Sequence, residues 1–225
     1  MRQAFFCGTI IFGRVLFGLY PNLGLTSIIF TGDEMFKFFA FINRMKYIKR
    51  WSLMRSVREE NIMEHSQQVA VIAHALALVK NKYYGGTLDE KLVVMLAQYH
   101  ESGEVITGDL PTPIKYFNPE IRDSYKDLEK LACKRLLAML PEDLRHEYEK
   151  YVLPDTFSEE YKIVKYADRL AAYLKCAEEV KAGNSEFKKA KKSIGDELKE
   201  CDAPEVRYFL KEFAPAYELT LDELD

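Results

Sequence analysis

The sequence predicts an all-α fold, a helical bundle, from three observations. Apolar residues recur at helical spacing from Met35 to the C-terminus. No stretch alternates apolar and polar residues as a half-buried strand would, and no internal repeat, glycine-rich phosphate loop or CxxC pair appears. The 225 residues, 48% apolar and 30% charged, suffice for one sizeable domain. A net charge of −3 offers no basic footprint, so a nucleic-acid partner is not expected. Cys7, Cys133, Cys176 and Cys201 are widely spaced without a zinc pattern, which predicts unpaired thiols in a reducing, cytoplasmic setting.

Residues 1–34 stand apart. They are rich in Phe, Ile, Leu and Gly and nearly free of charge. Arg14 and the turn signal Pro21-Asn22-Leu23-Gly24 interrupt them, so no run of about 20 apolar residues exists to span a bilayer. They are expected to be a disordered or spurious extension, without a membrane partner, and residues 35–225 to be the functional domain.

Taken in order, Met35 to Ile48 places Phe36, Phe39, Ile42, Met45 and Ile48 on one helical face. It delivers Arg50-Trp51, which from spacing alone reads as a surface Arg beside a core Trp. Asn61 with Glu64 resembles a capping box for a long helix whose stripe is Val69, Ile72, Ala73, Leu76 and Val79. His65 lies one turn before Val69 on that face, whereas His74 falls off it. Gly85-Gly86 stops this helix and Thr87 is expected to cap the next, on which Leu92, Val93, Leu96 and His100 share a face. Gly108 and the prolines Pro111 and Pro113 then break regular structure. A helix over Ser124 to Leu140 is expected to bury Leu128, Leu131, Ala132, Leu136 and Leu137. Pro141 starts another, with an exposed His146. Ser158 caps a long helix through Val180 with Ile163, Val164, Ala167, Leu170 and Leu174 inside. Two charged helices, about Glu186 to Glu200 and Pro204 to Phe213, finish the chain.

Chemistry concentrates in Tyr99-His100-Glu101-Ser102-Gly103-Glu104 and the loop after it. An imidazole supplies a lone pair and a carboxylate a hard oxygen, so His100 with Glu101 suits a borderline divalent ion. Asp168, set among apolar neighbours, needs a partner: an Arg, a helix terminus or a metal.

His65, His100-Glu101 and Asp168 stand in chain order on three predicted helices. This resembles the HD-domain metal phosphohydrolases, whose signature is H…HD…D. The words Ile48-Lys49-Arg50-Trp51, Glu64-His65-Ser66, Glu104 to Asn118 and Ala171-Ala172-Tyr173-Leu174-Lys175-Cys176 look like those of the YfbR-like 5′-deoxynucleotidases, from about Met35 onward. The resemblance implies an all-α HD-domain bundle, usually a homodimer, that hydrolyses deoxyribonucleoside 5′-monophosphates. It implies one divalent metal (cobalt, manganese or copper) on His65, His100, Glu101 and Asp168, of which His65, Glu101 and Asp168 also face the substrate. It further implies Arg50 on the phosphate, Trp51 beside the sugar, Asp109, Leu110, Pro111 and Thr112 lining the nucleoside pocket, and Glu104 in catalysis. Alternatives are a non-catalytic nucleotide-binding protein of this fold and an HD phosphohydrolase of another nucleotide class. One departure stands out: the family has Asp where this chain has Glu101. The added methylene moves a carboxylate by about 1.5 Å, against a metal-ligand tolerance of about 0.2 Å.

Overall fold

The computed structural model describes residues 9–12, 15–19, 26–30 and 35–225 apart from Tyr116. The chain divides into two compact units, Met1–Phe36 and Lys37–Asp225, two residues beyond the boundary expected from composition.

In the first unit, strands β1 (Thr9–Phe12), β2 (Val15–Leu19) and β3 (Thr26–Phe30) pair antiparallel in the order β1-β2-β3. The register sets Thr9 opposite Gly18 and Val15 opposite Phe30. The sequence expectation of no strand fails here for a physical reason. These segments are almost wholly apolar, so the period-two signature of a half-buried strand is missing.

The second unit is all-α, as predicted. It comprises α1 (Phe38–Ile42), α2 (Ile62–Tyr83), α3 (Glu90–Tyr99), α4 (Glu104–Thr107), α5 (Thr112–Lys115), α6 (Pro119–Leu137), α7 (Glu142–Val152), α8 (Glu159–Lys181), α9 (Lys188–Glu200) and α10 (Pro204–Glu212). The centre is α2, which packs on both α3 and α8. Val69, Ile72, Ala73, Leu76 and Val79 of α2 are buried as their spacing predicts, the first four clustered with Val93 and Leu96 of α3 and Ile163, Val164, Ala167, Leu170 and Leu174 of α8. Each fully buried aliphatic side chain contributes roughly 1.5–3 kcal/mol. That is enough to hold the helix ends, and the polar residues they carry, in one geometry.

Local chemistry sets the boundaries. Asn61 caps α2 by accepting from the backbone of Met63 and Glu64. Glu64 makes no reciprocal capping bond and instead faces Arg58 at 3.8 Å. The cap of α3 is Asp89 rather than Thr87; its carboxylate accepts from Lys91 and Leu92. Gly85 ends the preceding helix region at φ +68°, a conformation costly for other residues.

Two expected faces are wrong. Phe38 and Met45 are buried while Phe36 and Phe39 stay exposed, and after α1 the chain tightens into a 3₁₀ turn over Asn43–Tyr47, which rewinds only the side chains that follow. On α6, Ala132, Leu136 and Leu137 are buried, but Leu128 and Leu131 are 47% and 63% exposed. Among the described residues, no element of this unit covers that side of α6.

Candidate metal and phosphate site

Four side chains meet where α2, α3 and α8 converge. His65 comes from the first turn of α2, His100 is the C-terminal cap of α3, Glu101 follows it, and Asp168 lies mid-way along α8. One donor atom from each lies within 4.8 Å of the others. His65 Nε2 is 3.0 Å from Asp168 Oδ1, and Glu101 Oε1 is 3.7 Å from His65 Nε2 and 3.8 Å from His100 Nε2. The four residues singled out along the sequence as a ligand set thus share one place.

The donor chemistry fits a divalent cation. His100 Nδ1–H donates to the Ala97 carbonyl at 2.6 Å, which leaves Nε2 as a lone pair. Burial holds His100 below its ordinary pKa against the pull of Glu101 and Asp168, so the ring is neutral. Burial opposes ionisation of Glu101, yet Arg50 and then the two imidazoles keep its pKa below the ordinary value. Asp168 is likewise desolvated, but Lys165 and His65 hold it well below the usual carboxylate range. His100 Nε2 and Glu101 Oε2 are buried with no hydrogen-bond partner. Two imidazoles with two carboxylates suit a borderline divalent ion, and a cation satisfies atoms that would otherwise be costly to bury.

Arg50 is not the surface residue that spacing suggests: its side chain is 12% exposed. Its Nη1 donates to Glu101 Oε1 at 2.7 Å and its Nε to Glu60 Oε2 at 3.0 Å. Trp51 follows in the left-handed region at φ 59°, a conformation costing a bulky residue about 1–3 kcal/mol. Its Nε1 donates to the same Glu60 Oε2 at 2.9 Å, and its ring packs on Phe187 at 5.4 Å.

The loop from Arg50 to Glu60, which begins with this pair, is anchored at several points. Residues 49 and 61 form an isolated antiparallel bridge, with Arg50 N donating to Glu60 O and Ile62 N to Ile48 O. Lys175 and Glu179, one turn apart on α8, form a buried ion pair. Glu179 also accepts from the backbone N–H of Val57 at 2.8 Å and Arg58 at 3.2 Å, and from Asn184 at 2.9 Å. Burial resists its ionisation, but these donors, Lys175 first, lower its pKa to about 2.

Glu104 opens α4 on the other side of Glu101 and is buried. Burial, then the charges of Glu101 and Asp109, push its pKa up to about 10. Gly103 packs so closely on α6 that a Cβ there would meet Cys133 Sγ at 3.0 Å. Gly108, at φ 75°, ends α4 and turns the chain into Asp109. Burial raises the pKa of Asp109 while Arg50 opposes the rise, so it lies in the field of the same guanidinium. Leu110 and Pro111 are half-buried and Thr112 is exposed at the start of α5. No hydrogen bond or ion pair joins these three side chains to the ligand set among the described residues.

Sequence reading missed Glu60, Lys165 and the Lys175–Glu179 pair. Glu60 had a signal, an acidic residue directly before the Asn61 cap; the other three look like ordinary charges on the polar part of a helix.

The helical bundle that brings His65, His100, Glu101 and Asp168 together shares its fold with HD-domain phosphohydrolases. Solved structures agree on the fold. An HD-domain phosphohydrolase from Listeria innocua superposes with a TM-score of 0.71 at 24% identity, covering 80% of this chain and 88% of that one. The HD phosphohydrolase DatZ of cyanophage S-2L, solved with dA and one catalytic Zn²⁺, gives 0.57 at 17% identity, covering 80% and 96%. The family described as 5′-deoxynucleotidase YfbR-like matches residues 37–217, and this chain belongs to it. The 5′-deoxynucleotidase of Vibrio cholerae is 55% identical over 188 residues, 83% of this chain and 97% of the relative. That of Yersinia pseudotuberculosis is 50% identical over 191 residues, 84% and 97%.

Proposed function

We propose that residues 35–225 form a metal-dependent 5′-deoxynucleotidase that hydrolyses deoxyribonucleoside 5′-monophosphates to deoxynucleoside and phosphate. The observation that carries this is the convergence of His65, His100, Glu101 and Asp168 beside a partly buried Arg50–Trp51 pair. A cation and a guanidinium side by side are what a phosphate monoester dianion requires. Relatives named for this activity at 50–55% identity support the substrate class.

His65, His100, Glu101 and Asp168 hold one divalent ion, for which cobalt, manganese or copper is expected from the family. When bound, such an ion lowers the pKa of water and polarises a phosphoryl oxygen. Arg50 binds the phosphate and offsets charge on its equatorial oxygens as the P–O bond to the 5′ oxygen breaks. Glu104, whose pKa burial raises to about 10, gives its proton to the leaving 5′ oxygen in this reading. Trp51 flanks the sugar and is the candidate wall against a ribose hydroxyl. Asp109, Leu110, Pro111 and Thr112 line the nucleoside side.

The working form is a homodimer. The exposed stripe of Ile121, Leu128 and Leu131 on α6 supports this reading, since a second copy would remove it from water. A cytoplasmic location accords with the free thiols of Cys133, Cys176 and Cys201. Among the described residues no helix is long and apolar enough to cross a membrane.

Phosphate release from dAMP, dGMP and dTMP, compared with AMP, with added cobalt or manganese tests the assignment. Release favouring the deoxy substrates is expected. No release with any metal, while Glu101→Asp is active, would refute turnover by this chain. One observation favours a second reading, a nucleotide binder without turnover: the carboxylate of Glu101 is engaged by Arg50. Calorimetric binding of dAMP without hydrolysis is its signature.

A further inference from the structure

Glu60 belongs neither to the ligand set nor to the substrate-facing residues. Its side chain is 10% exposed, yet one carboxylate oxygen accepts from both Arg50 Nε and Trp51 Nε1, at 3.0 and 2.9 Å. Its backbone carbonyl accepts from Arg50 N at 2.9 Å. A single residue therefore holds the Arg50–Trp51 dipeptide by three hydrogen bonds. The restraint matters because Trp51 sits at φ 59°, where a bulky side chain persists only if its surroundings over-determine it. The other contacts of Trp51, a turn hydrogen bond from Met54 N to its carbonyl and ring packing on Phe187, do not fix the direction of the indole N–H.

Arg50 has a parallel constraint. A guanidinium is a planar fork, so fixing Nε on Glu60 sets the plane in which the remaining N–H groups point. Nη1 is already directed at Glu101. The other carboxylate oxygen of Glu60 is 4.0 Å from His65 Nδ1, too far for a hydrogen bond, so the side-chain hydrogen bonds of Glu60 go to the dipeptide.

We propose that Glu60 is a positioning residue that locks the Arg50 guanidinium and the Trp51 indole together, setting phosphate affinity and the preference for deoxyribose over ribose. This rests on the functional reading above for the roles of Arg50 and Trp51. Two charge-assisted bonds to one carboxylate are lost in Glu60→Ala, so KM for dAMP is expected to rise roughly 10- to 100-fold. The ratio of kcat/KM for dAMP over AMP should fall, with kcat and bound manganese changed far less.

Trp51 is the sole tryptophan in the chain, so its emission reports on this clamp alone. The test compares wild type, Glu60→Ala and the nearly isosteric Glu60→Gln by manganese content, steady-state kinetics on dAMP and AMP, and tryptophan emission without nucleotide. A shifted emission in Glu60→Ala, with KM and selectivity altered at full metal content and recovered in part by Glu60→Gln, is the expected result. If Glu60→Ala does not fold, judged by far-UV circular dichroism, the comparison rests on Glu60→Gln, whose KM for dAMP must still exceed that of wild type. Unchanged emission and KM in a folded variant would overturn the proposal, as would loss of activity in proportion to loss of manganese. If wild type neither binds nor hydrolyses dAMP, the functional reading fails, and the nucleotide-free emission still decides whether Glu60 clamps Trp51.

Discussion

Replacing Glu101 by Asp should tighten metal binding. In the present arrangement Glu101 Oε1 is 2.7 Å from Arg50 Nη1 but 3.7 and 3.8 Å from the Nε2 atoms of His65 and His100. The extra methylene thus carries the carboxylate to the guanidinium, and a cation drawing on that oxygen competes with an ion pair. Shortening the side chain withdraws the carboxylate by about 1.5 Å, which takes the Arg50 contact to about 4 Å, beyond hydrogen bonding. A hydrogen bond between charged groups contributes about 1.5–3 kcal/mol. At 1.4 kcal/mol per decade, removing that competitor tightens the metal about 10- to 100-fold. Arg50 keeps its bond to Glu60 and is freed toward phosphate. Isothermal titration of Mn²⁺ into metal-free wild type and Glu101→Asp measures the ratio directly. An affinity in Glu101→Asp equal to or weaker than that of wild type would refute this account of the added methylene.

Other expectations follow from the same geometry. Glu104 has a folded pKa near 10, far above its ordinary 4.5, so the proton it retains stabilises the metal-free fold fully at low pH and progressively less as pH rises toward 10. Between pH 7 and 9 the melting temperature of metal-free protein should fall, and Glu104→Gln should flatten that slope; a flat wild-type profile contradicts the burial argument. Gly103→Ala forces a Cβ to within 3.0 Å of Cys133 Sγ and should cost about 1–3 kcal/mol in urea denaturation. Adding Cys133→Ala should recover at least about 0.5 kcal/mol of it in a double-mutant cycle, and strict additivity would disprove the contact. Lys175→Met leaves Glu179 buried without its cation and should cost about 3–5 kcal/mol by the same measurement, with KM for dAMP raised because the loop carrying Arg50 loses its anchor.

Much of the candidate site was legible before any coordinates. His65 and His100 each fall on the apolar face of a helix near its end, where an unpaired imidazole is anomalous, and Asp168 interrupts an apolar face. Those are violations of binary pattern, and a violation that survives in a packed bundle needs a partner. Glu60 and Lys165 were not legible in that way. Charged residues on polar positions obey the pattern; the fold reveals that Glu60 turns inward to Arg50 and Trp51, and Lys165, one turn before Asp168 and 2.8 Å from it, has an i,i+3 spacing common to surface pairs. The α6 leucines failed in the opposite sense. Leu128 and Leu131 continue the apolar periodicity, but periodicity reports that a face is apolar and not what covers it.

The sequence by itself determined the long helices α2, α3 and α6 to α10 and the apolar stripes of α2 and α8, because each depends on spacing within a few residues, whereas His65, His100, Glu101 and Asp168 were suggested as ligands by resemblance to a family. The tertiary structure alone decided which atoms those ligands present to one another, the left-handed backbone of Trp51, the pairing of Glu101 with Arg50 and the buried Lys175–Glu179 anchor. These join residues 51 apart for Arg50 and Glu101, and 122 apart for Val57 and Glu179. Contacts at such separations depend on how α2, α3 and α8 pack, and no local periodicity carries that information.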